Sequence, residues 1–150
     1  MDVKLESVDC FLLATLTGRV WLEEALALGK VVFDVAAEKS FSRILFDCHA
    51  VEGELTIVDR YDIGEGLAEY CKSQSMVPSV ALLGKLPTVT GFGAHIARNH
   101  GLDVKVFSER QAAVDWLNRL GSQPRHRETT SSRTLESKPA LDVKIRLPLI

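Results

Sequence analysis

The sequence predicts an α/β fold built on a mixed, mostly parallel sheet of five strands with four helices. Three times the chain runs from a short apolar strand into an amphipathic helix, and the last of these units is LDVKVFSERQAAVDWLNRLG. Parallel strands need a long crossover connection, which a helix usually supplies. The repeated strand–helix order is therefore the strongest indication of the fold class.

The first two strands are expected to form an antiparallel hairpin. They cover residues 3–7 and 10–17, and the second, CFLLATLT, is apolar on both faces, as in a central strand. Residues 7–9 leave room only for a tight turn. Gly18 is expected to end the second strand, and the helical spacing of apolar residues predicts a helix over residues 21–38.

The middle of the chain predicts a strand, a loop and a capped helix. RILFDC, residues 43–48, has the composition of a buried strand, and HAVEGEL after it is expected to be a loop. Thr56 and Asp59 have the spacing of a capping box at the start of the next helix. Gly64 and Gly66 weaken a helix by about 1 kcal/mol each, which indicates close backbone packing or a local irregularity of the helix.

The rest of the domain continues with strands at residues 79–84 and 102–107 and helices at about 88–100 and up to Gly121. These elements and the earlier ones predict a common hydrophobic core. Its predicted members are Leu12, Ala14, Leu26, Phe33, Leu45, Tyr61, Ala81, Leu83, Val104, Val106, Trp116 and Leu117.

The composition changes after residue 121, so we assign residues 1–121 to the α/β domain. Residues 122–140 are polar and hydroxyl-rich, which is typical of a linker. Residues 141–150 form a tail, and in residues 141–147 of it four apolar residues alternate with three charged ones, the pattern of a half-buried strand. This tail is expected to add to a sheet edge of its own chain, or of a second copy in a homodimer, with a disordered tail as the alternative.

Bulk properties exclude several classes of protein. The chain has 150 residues, a net charge of -2 and a pI of about 6.1, without the basic excess of a nucleic-acid binder. It has neither an apolar run of membrane-spanning length nor a secretory pattern at its start. Its three cysteines lie apart in apolar stretches, which favours reduced core residues in a cytoplasmic protein.

Residue patterns that could carry chemistry are incomplete. Gly91 and Gly93 lie too far from the preceding strand for a dinucleotide site, so close helix packing is the better interpretation. The four histidines form no metal-ligand set, and we expect neither a metal nor a cofactor. Asp47, Cys48 and His49 lie at the carboxyl end of a parallel strand, where α/β sheets place their sites. An enzyme that uses the Asp47–Thr56 loop is therefore a distant alternative.

The element order, Gly18 after the second strand, and the closing VFSERQAAVDWL together resemble the STAS domain (sulphate transporter and anti-sigma-factor antagonist) over residues 3–120. The subgroup it is most similar to is that of the sporulation stage-II AA antagonist, often described together with SEC14-like lipid-binding domains. In regulatory members, a partner kinase phosphorylates a serine of an Asp-Ser pair after the third strand. Residues 48–56 here contain no serine, so we expect no phosphorylation switch, and Thr56 is only a weak candidate.

The resemblance implies a non-enzymatic regulatory module that docks a protein partner through residues 48–66. The expected contact residues are His49, Glu52, Gly53, Glu54, Thr56 and Asp59. The alternative is a binding domain for a small apolar or anionic ligand, such as a lipid, a nucleotide or another anion, held between the helices and the sheet edge.

Overall fold

The computed structural model describes residues 1–122 and 142–146. Within these ranges the chain forms six strands and four helices, in the order predicted from the sequence. Their bounds are β1 Asp2–Val8, β2 Phe11–Arg19, α1 Leu22–Glu38, β3 Arg43–Glu52, α2 Ile57–Ser73, β4 Ser79–Leu83, α3 Phe92–Asn99, β5 Asp103–Phe107, α4 Arg110–Ser122 and β6 Asp142–Arg146.

The strands form one mixed sheet in the order β5-β4-β3-β2-β1-β6. Strands β2 to β5 pair in parallel, whereas β1 pairs antiparallel with both β2 and β6. The predicted α/β fold, with its hairpin followed by parallel strands and helical crossovers, is therefore confirmed.

The sixth strand comes from the C-terminal tail. Residues 142–146 pair with β1 of the same chain, with Val143 opposite Leu5 and Ile145 opposite Val3. Ile145 is half-buried and packs on the core, whereas Lys144 is exposed. The predicted edge strand is thus confirmed within one chain. The predicted linker at 122–140 and the end of the tail at 147–150 lie, apart from Ser122, outside the described residues, and strand exchange between two copies stays a prediction.

The helices divide unequally between the two faces of the sheet. Side chains of α1, α2 and α3 join Ile44 and Phe46 of β3 in one hydrophobic cluster. Ala113 and Leu117 of α4 pack with Leu45 of the same strand in the second cluster, on the opposite face. In the described part of the chain, no helix is long and apolar enough to cross a membrane.

Strands β2 and β3 are longer than predicted. Gly18 does not end β2 but lies within it at φ +104°, and HAVEGEL is largely strand because β3 runs to Glu52. Thr15 pairs with Asp47 but Thr17 pairs with Ala50, so β3 carries one extra residue at this bulge. Because the two strands resume pairing beyond the bulge, each supports the extension of the other.

The prediction that Tyr61 is a core residue is wrong. Tyr61 is 38% exposed and Ile57 is 70% exposed, whereas Arg60, two turns before Ala68, faces inward at 8% exposure. The inward-facing stripe of α2 therefore includes a charged residue. The apolar pattern of the sequence assigned this position to Tyr61, the next residue along the chain. Leu26, Val106 and Trp116 are half-buried, and the remaining predicted core residues are buried.

Helix α3 begins at Phe92 rather than near residue 88. The carbonyls of Pro87 and Thr88, which a longer helix would use as acceptors, bind the side chain of Arg60 instead. Gly91 has φ +91°, which a helix interior does not allow. The helix therefore starts after this glycine, and the preceding residues form a separate loop.

Candidate functional site

An apolar cavity of about 180 Å³ lies between the sheet and helices α1, α2 and α3. Leu16, Phe46 and Leu82 line it from three adjacent strands, and Leu67 and Ala94 line it from the helices. Its remaining apolar lining includes Ala25, Phe33, Cys48, Val51, Ile63, Val80 and Val104.

Small residues allow the helices around this cavity to pack closely. A Cβ atom on Gly64 of α2 would lie 2.3 Å from the Gly93 carbonyl oxygen of α3. A Cβ atom on Gly93 would in turn lie 3.2 Å from the carbonyl oxygen of Arg60. The predicted role in helix packing is therefore confirmed for Gly64 and Gly93. It is wrong for Gly91, where an added Cβ atom would meet nothing within 4 Å. The contact between Gly64 and Gly93 places the N-terminus of α3 beside the first turns of α2.

Arg60 is the charged side chain in the lining of the cavity. Its Nε donates to the Leu55 carbonyl at 3.2 Å, Nη1 to Thr88 at 2.8 Å and Nη2 to Pro87 at 2.9 Å. Among the described residues, no carboxylate oxygen lies within 4.0 Å of its nitrogens. Three carbonyl dipoles therefore hold a buried positive charge that no side chain in the described part of the chain neutralises, and such a charge is costly in an apolar environment.

The N-terminus of α3 lines the same cavity. Its N-cap, Gly91, provides no side-chain cap, and the first turn contains no acidic residue. The N–H of Phe92 reaches Thr90 Oγ1 at 3.3 Å, but those of Gly93 and Ala94 have no partner among the hydrogen bonds of the described residues. This end of α3 adds partial positive charge next to Arg60.

Burial disfavours the nucleophilic thiolate form of the cysteine that lines the cavity. Burial, with a smaller contribution from the Asp47 carboxylate, raises the pKa of Cys48 to about 12. Burial also raises the pKa of Cys71, in α2, to about 11. Since the thiolate is the nucleophilic form, both cysteines behave as the small core residues expected from the sequence.

The Asp47–His49 cluster lies on the other side of β3. Asp47 Oδ1 accepts from the backbone N–H of His49 at 3.1 Å and lies 3.3 Å from its Nδ1, while Oδ2 accepts from Arg110 of α4 at 2.9 Å. Cys48 lines the cavity instead, so the structure does not bring the three predicted residues into one site. The described residues contain no group of three or more candidate metal ligands, and His126 lies outside them.

The residues expected to dock a partner are spread along the carboxyl edge of the sheet. His49 and Glu52 belong to β3, Gly53 turns the chain at φ +99°, and Glu54 is exposed. The predicted capping box is confirmed, since the Asp59 N–H donates to Thr56 Oγ1 at 3.0 Å and the Thr56 N–H donates to Asp59 Oδ2 at 3.3 Å.

Exposed apolar residues that the sequence did not indicate as part of a site lie at the same edge. Each follows the carboxyl end of a parallel strand, in the first turns of α1 and α2 or in the loop after β4. They are Trp21, Ile57, Val58, Tyr61 and Leu86, with exposures of 56%, 70%, 66%, 38% and 74%. The loops are tied together, since Thr88 Oγ1 donates to the Gly53 carbonyl at 3.0 Å. We call these five residues the edge patch.

Comparison with known proteins assigns no family. No protein-family model matches the chain, and no curated protein matches it. Among solved structures, the chain is similar to one described as "NMR Structure of the protein TM1081", with 18% identity and a TM-score of 0.45. The similarity covers 77% of this chain and 87% of that one. It carries no functional information, so function has to be inferred from the geometry of the cavity and the edge patch.

Proposed function

We propose that this protein is a non-enzymatic binding module that holds a small, largely apolar molecule in the cavity between its sheet and helices α1 to α3. The observation that carries the proposal is the size and lining of the cavity, about 180 Å³ and almost entirely apolar. Protein interiors are otherwise packed as densely as organic crystals. An engineered apolar cavity of about 150 Å³ stays dry and binds benzene.

The energetics also favour an occupied cavity. The apolar side chains that line the cavity lose dispersion contacts wherever no atoms face them. A ligand that fills it regains much of the lost contact energy. Burial protonates the Cys48 thiol that faces this space, which favours binding over thiol chemistry.

Native mass spectrometry of the purified protein, followed by extraction of the bound molecule, tests this proposal. We expect a co-purifying small molecule, which Ala25→Phe should displace because Ala25 lines the cavity. Ala27→Phe is the matched control, since Ala27 is exposed on the same helix. Loss of the ligand from both variants, or from neither, would contradict the cavity as its site.

A second candidate is the regulatory docking module that the STAS-like element order implies. The edge patch favours it, because a group of exposed apolar residues on a protein surface typically marks an interaction site. The exposed Glu52 and Glu54 shortly precede Ile57 of the edge patch in the chain, so the proposed partner is a protein with an apolar surface bordered by basic residues. Thr56 Oγ1 already accepts a capping hydrogen bond, and docking of this kind needs no phosphate on it.

The docking function is tested by measuring the binding of this protein to a purified partner protein. A partner captured from the source cells should bind again as a purified protein, and Ile57→Ser with Val58→Ser should weaken that binding at least tenfold. Val77→Ser is the control, because Val77 is 89% exposed but lies before β4, at the opposite end of that strand. Equal binding by both variants would exclude the edge patch as the docking surface.

A further inference from the structure

We propose that the ligand of the cavity is a small monocarboxylate, with its apolar body in the cavity and its carboxylate against Arg60 and the N-terminus of α3. This inference rests on the proposed binding function and names the chemical class of the ligand. It starts from Arg60, a cavity-lining residue that is 8% exposed and whose guanidinium has no carboxylate partner among the described residues.

The number of free donors on Arg60 suits a carboxylate. A guanidinium has five N–H groups, and one on each nitrogen donates to the carbonyls of Leu55, Thr88 and Pro87. One N–H therefore remains on each terminal nitrogen, and these two charged donors are available to a carboxylate. Gly93 and Ala94 line the same cavity, and their N–H groups, which have no partner among the described residues, are further donors for an anion at this helix end.

The charge at this end of the cavity selects a monoanion. A single carboxylate neutralises the one guanidinium, whereas a phosphate dianion would leave an uncompensated negative charge in an apolar space. The remaining lining is almost entirely apolar, so the body of the ligand is a hydrocarbon rather than a sugar or a nucleoside.

The volume sets the size of the apolar body. A cavity of about 150 Å³ takes benzene, so in proportion one of about 180 Å³ takes roughly seven non-hydrogen atoms. Benzoate has this size once its carboxylate lies at Arg60, and benzamide is a neutral molecule of nearly the same shape. This pair of probes separates recognition of charge from recognition of shape.

Arg60 could instead serve only to tie the loop at Leu55 to the loop at Pro87 and Thr88. Arg98 provides a control for this role, because its Nη1 donates to the Val104 carbonyl at 2.9 Å and its side chain does not line the cavity. If Arg60 has only this structural role, replacing it should weaken the binding of benzoate and of benzamide equally. If Arg60 recognises the carboxylate, replacing it should weaken the binding of benzoate alone.

Isothermal titration calorimetry of the full chain at pH 7, freed of co-purified ligand, tests the inference. We expect benzoate to bind at least tenfold more tightly than benzamide, Arg60→Gln to reduce this preference to twofold or less, and Arg98→Gln to leave it unchanged. Circular dichroism checks that each variant is folded. If Arg60→Gln does not fold, the comparison of the two probes on the unmodified protein still decides.

Each outcome distinguishes the inference from the function on which it rests. Equal binding of benzamide and benzoate that Ala25→Phe abolishes would overturn the carboxylate assignment and leave the cavity as a binding site. Failure of both probes to bind would overturn the carboxylate assignment. If, in addition, no small molecule co-purifies with the protein, the proposed binding function would be overturned as well. A benzoate preference that survives in folded Arg60→Gln would assign the recognition to another group and refute the role of Arg60.

Discussion

The contact between α2 and α3 at Gly64 can be tested by adding one methyl group. In Gly64→Ala the new Cβ would lie 2.3 Å from the Gly93 carbonyl oxygen and 3.2 Å from Ile96 Cβ. The first atom belongs to the backbone, so α3 has to move away by about 1 Å. Overpacking of this kind costs about 1–3 kcal/mol, whereas the higher helix propensity of alanine returns up to about 1 kcal/mol.

We therefore expect Gly64→Ala to lower the free energy of unfolding by about 1–2 kcal/mol. In urea, with an m-value of about 1–3 kcal/mol per M, the midpoint should fall by roughly 0.5–1 M. Because Gly64 also lines the cavity, the same variant should lose affinity for the cavity ligand.

Gly66→Ala is the matched control on the same helix. Its new Cβ would lie 2.9 Å from Leu26 Cδ2, the end of a flexible side chain that can rotate away. This variant should therefore be as stable as the unmodified protein or more stable, by up to about 1 kcal/mol. A Gly64→Ala protein as stable as Gly66→Ala would refute the close backbone contact between the two helices.

Three further results are expected. Thr56→Ala should lower the free energy of unfolding by about 1 kcal/mol because it removes the N-cap of α2, whereas Thr56→Ser should change it by only about a few tenths; equal urea midpoints for the two would contradict the cap. Burial raises the pKa of Cys48 to about 12 and that of Cys71 to about 11, from 9.0 in the unfolded chain. The folded state then keeps protons that the unfolded chain releases, so stability should fall as the pH rises above 9, by about 1 kcal/mol per thiol at pH 10. Replacing both cysteines with alanine should remove this alkaline loss, and a loss of the same size in that variant would assign it to other groups. Deletion of residues 141–150 should lower the thermal midpoint because it uncovers the edge of β1, and both proteins should have the mass of a monomer in solution. A dimer that becomes monomeric only on deletion would establish strand exchange between copies.

The fold could be predicted from the sequence because its signals are local. Apolar runs such as RILFDC mark strands, helical spacing marks α1 and α4, and Thr56 with Asp59 marks the start of α2. The alternating tail predicted an edge strand for the same reason, since a strand period of two is visible in seven residues. Each of these patterns depends on residues that are close together in the sequence, and the folded chain has the predicted element at that place.

The candidate site could be predicted only in part. The sequence placed docking residues between His49 and Asp59, and the exposed glutamates and the capped helix lie there. Arg60 was missed, although a charged residue at helical spacing from Gly64, Ala68 and Cys71 is the signal that could have indicated it. Tyr61 was placed in the core because an aromatic residue next to that stripe fits the apolar pattern almost as well.

The sequence by itself determined the type and order of the elements. It also determined the hairpin, the parallel strands that follow it, and the small residues that let the helices approach each other. Only the tertiary structure decided that β2 extends past Gly18 and β3 past Cys48, because two strands that pair after a bulge stabilise each other at long range. Only the tertiary structure brought together the strands, the three helices and Arg60 around one cavity. Cavity volume and unpaired buried charge depend on residues far apart in the chain, and no local pattern encodes them.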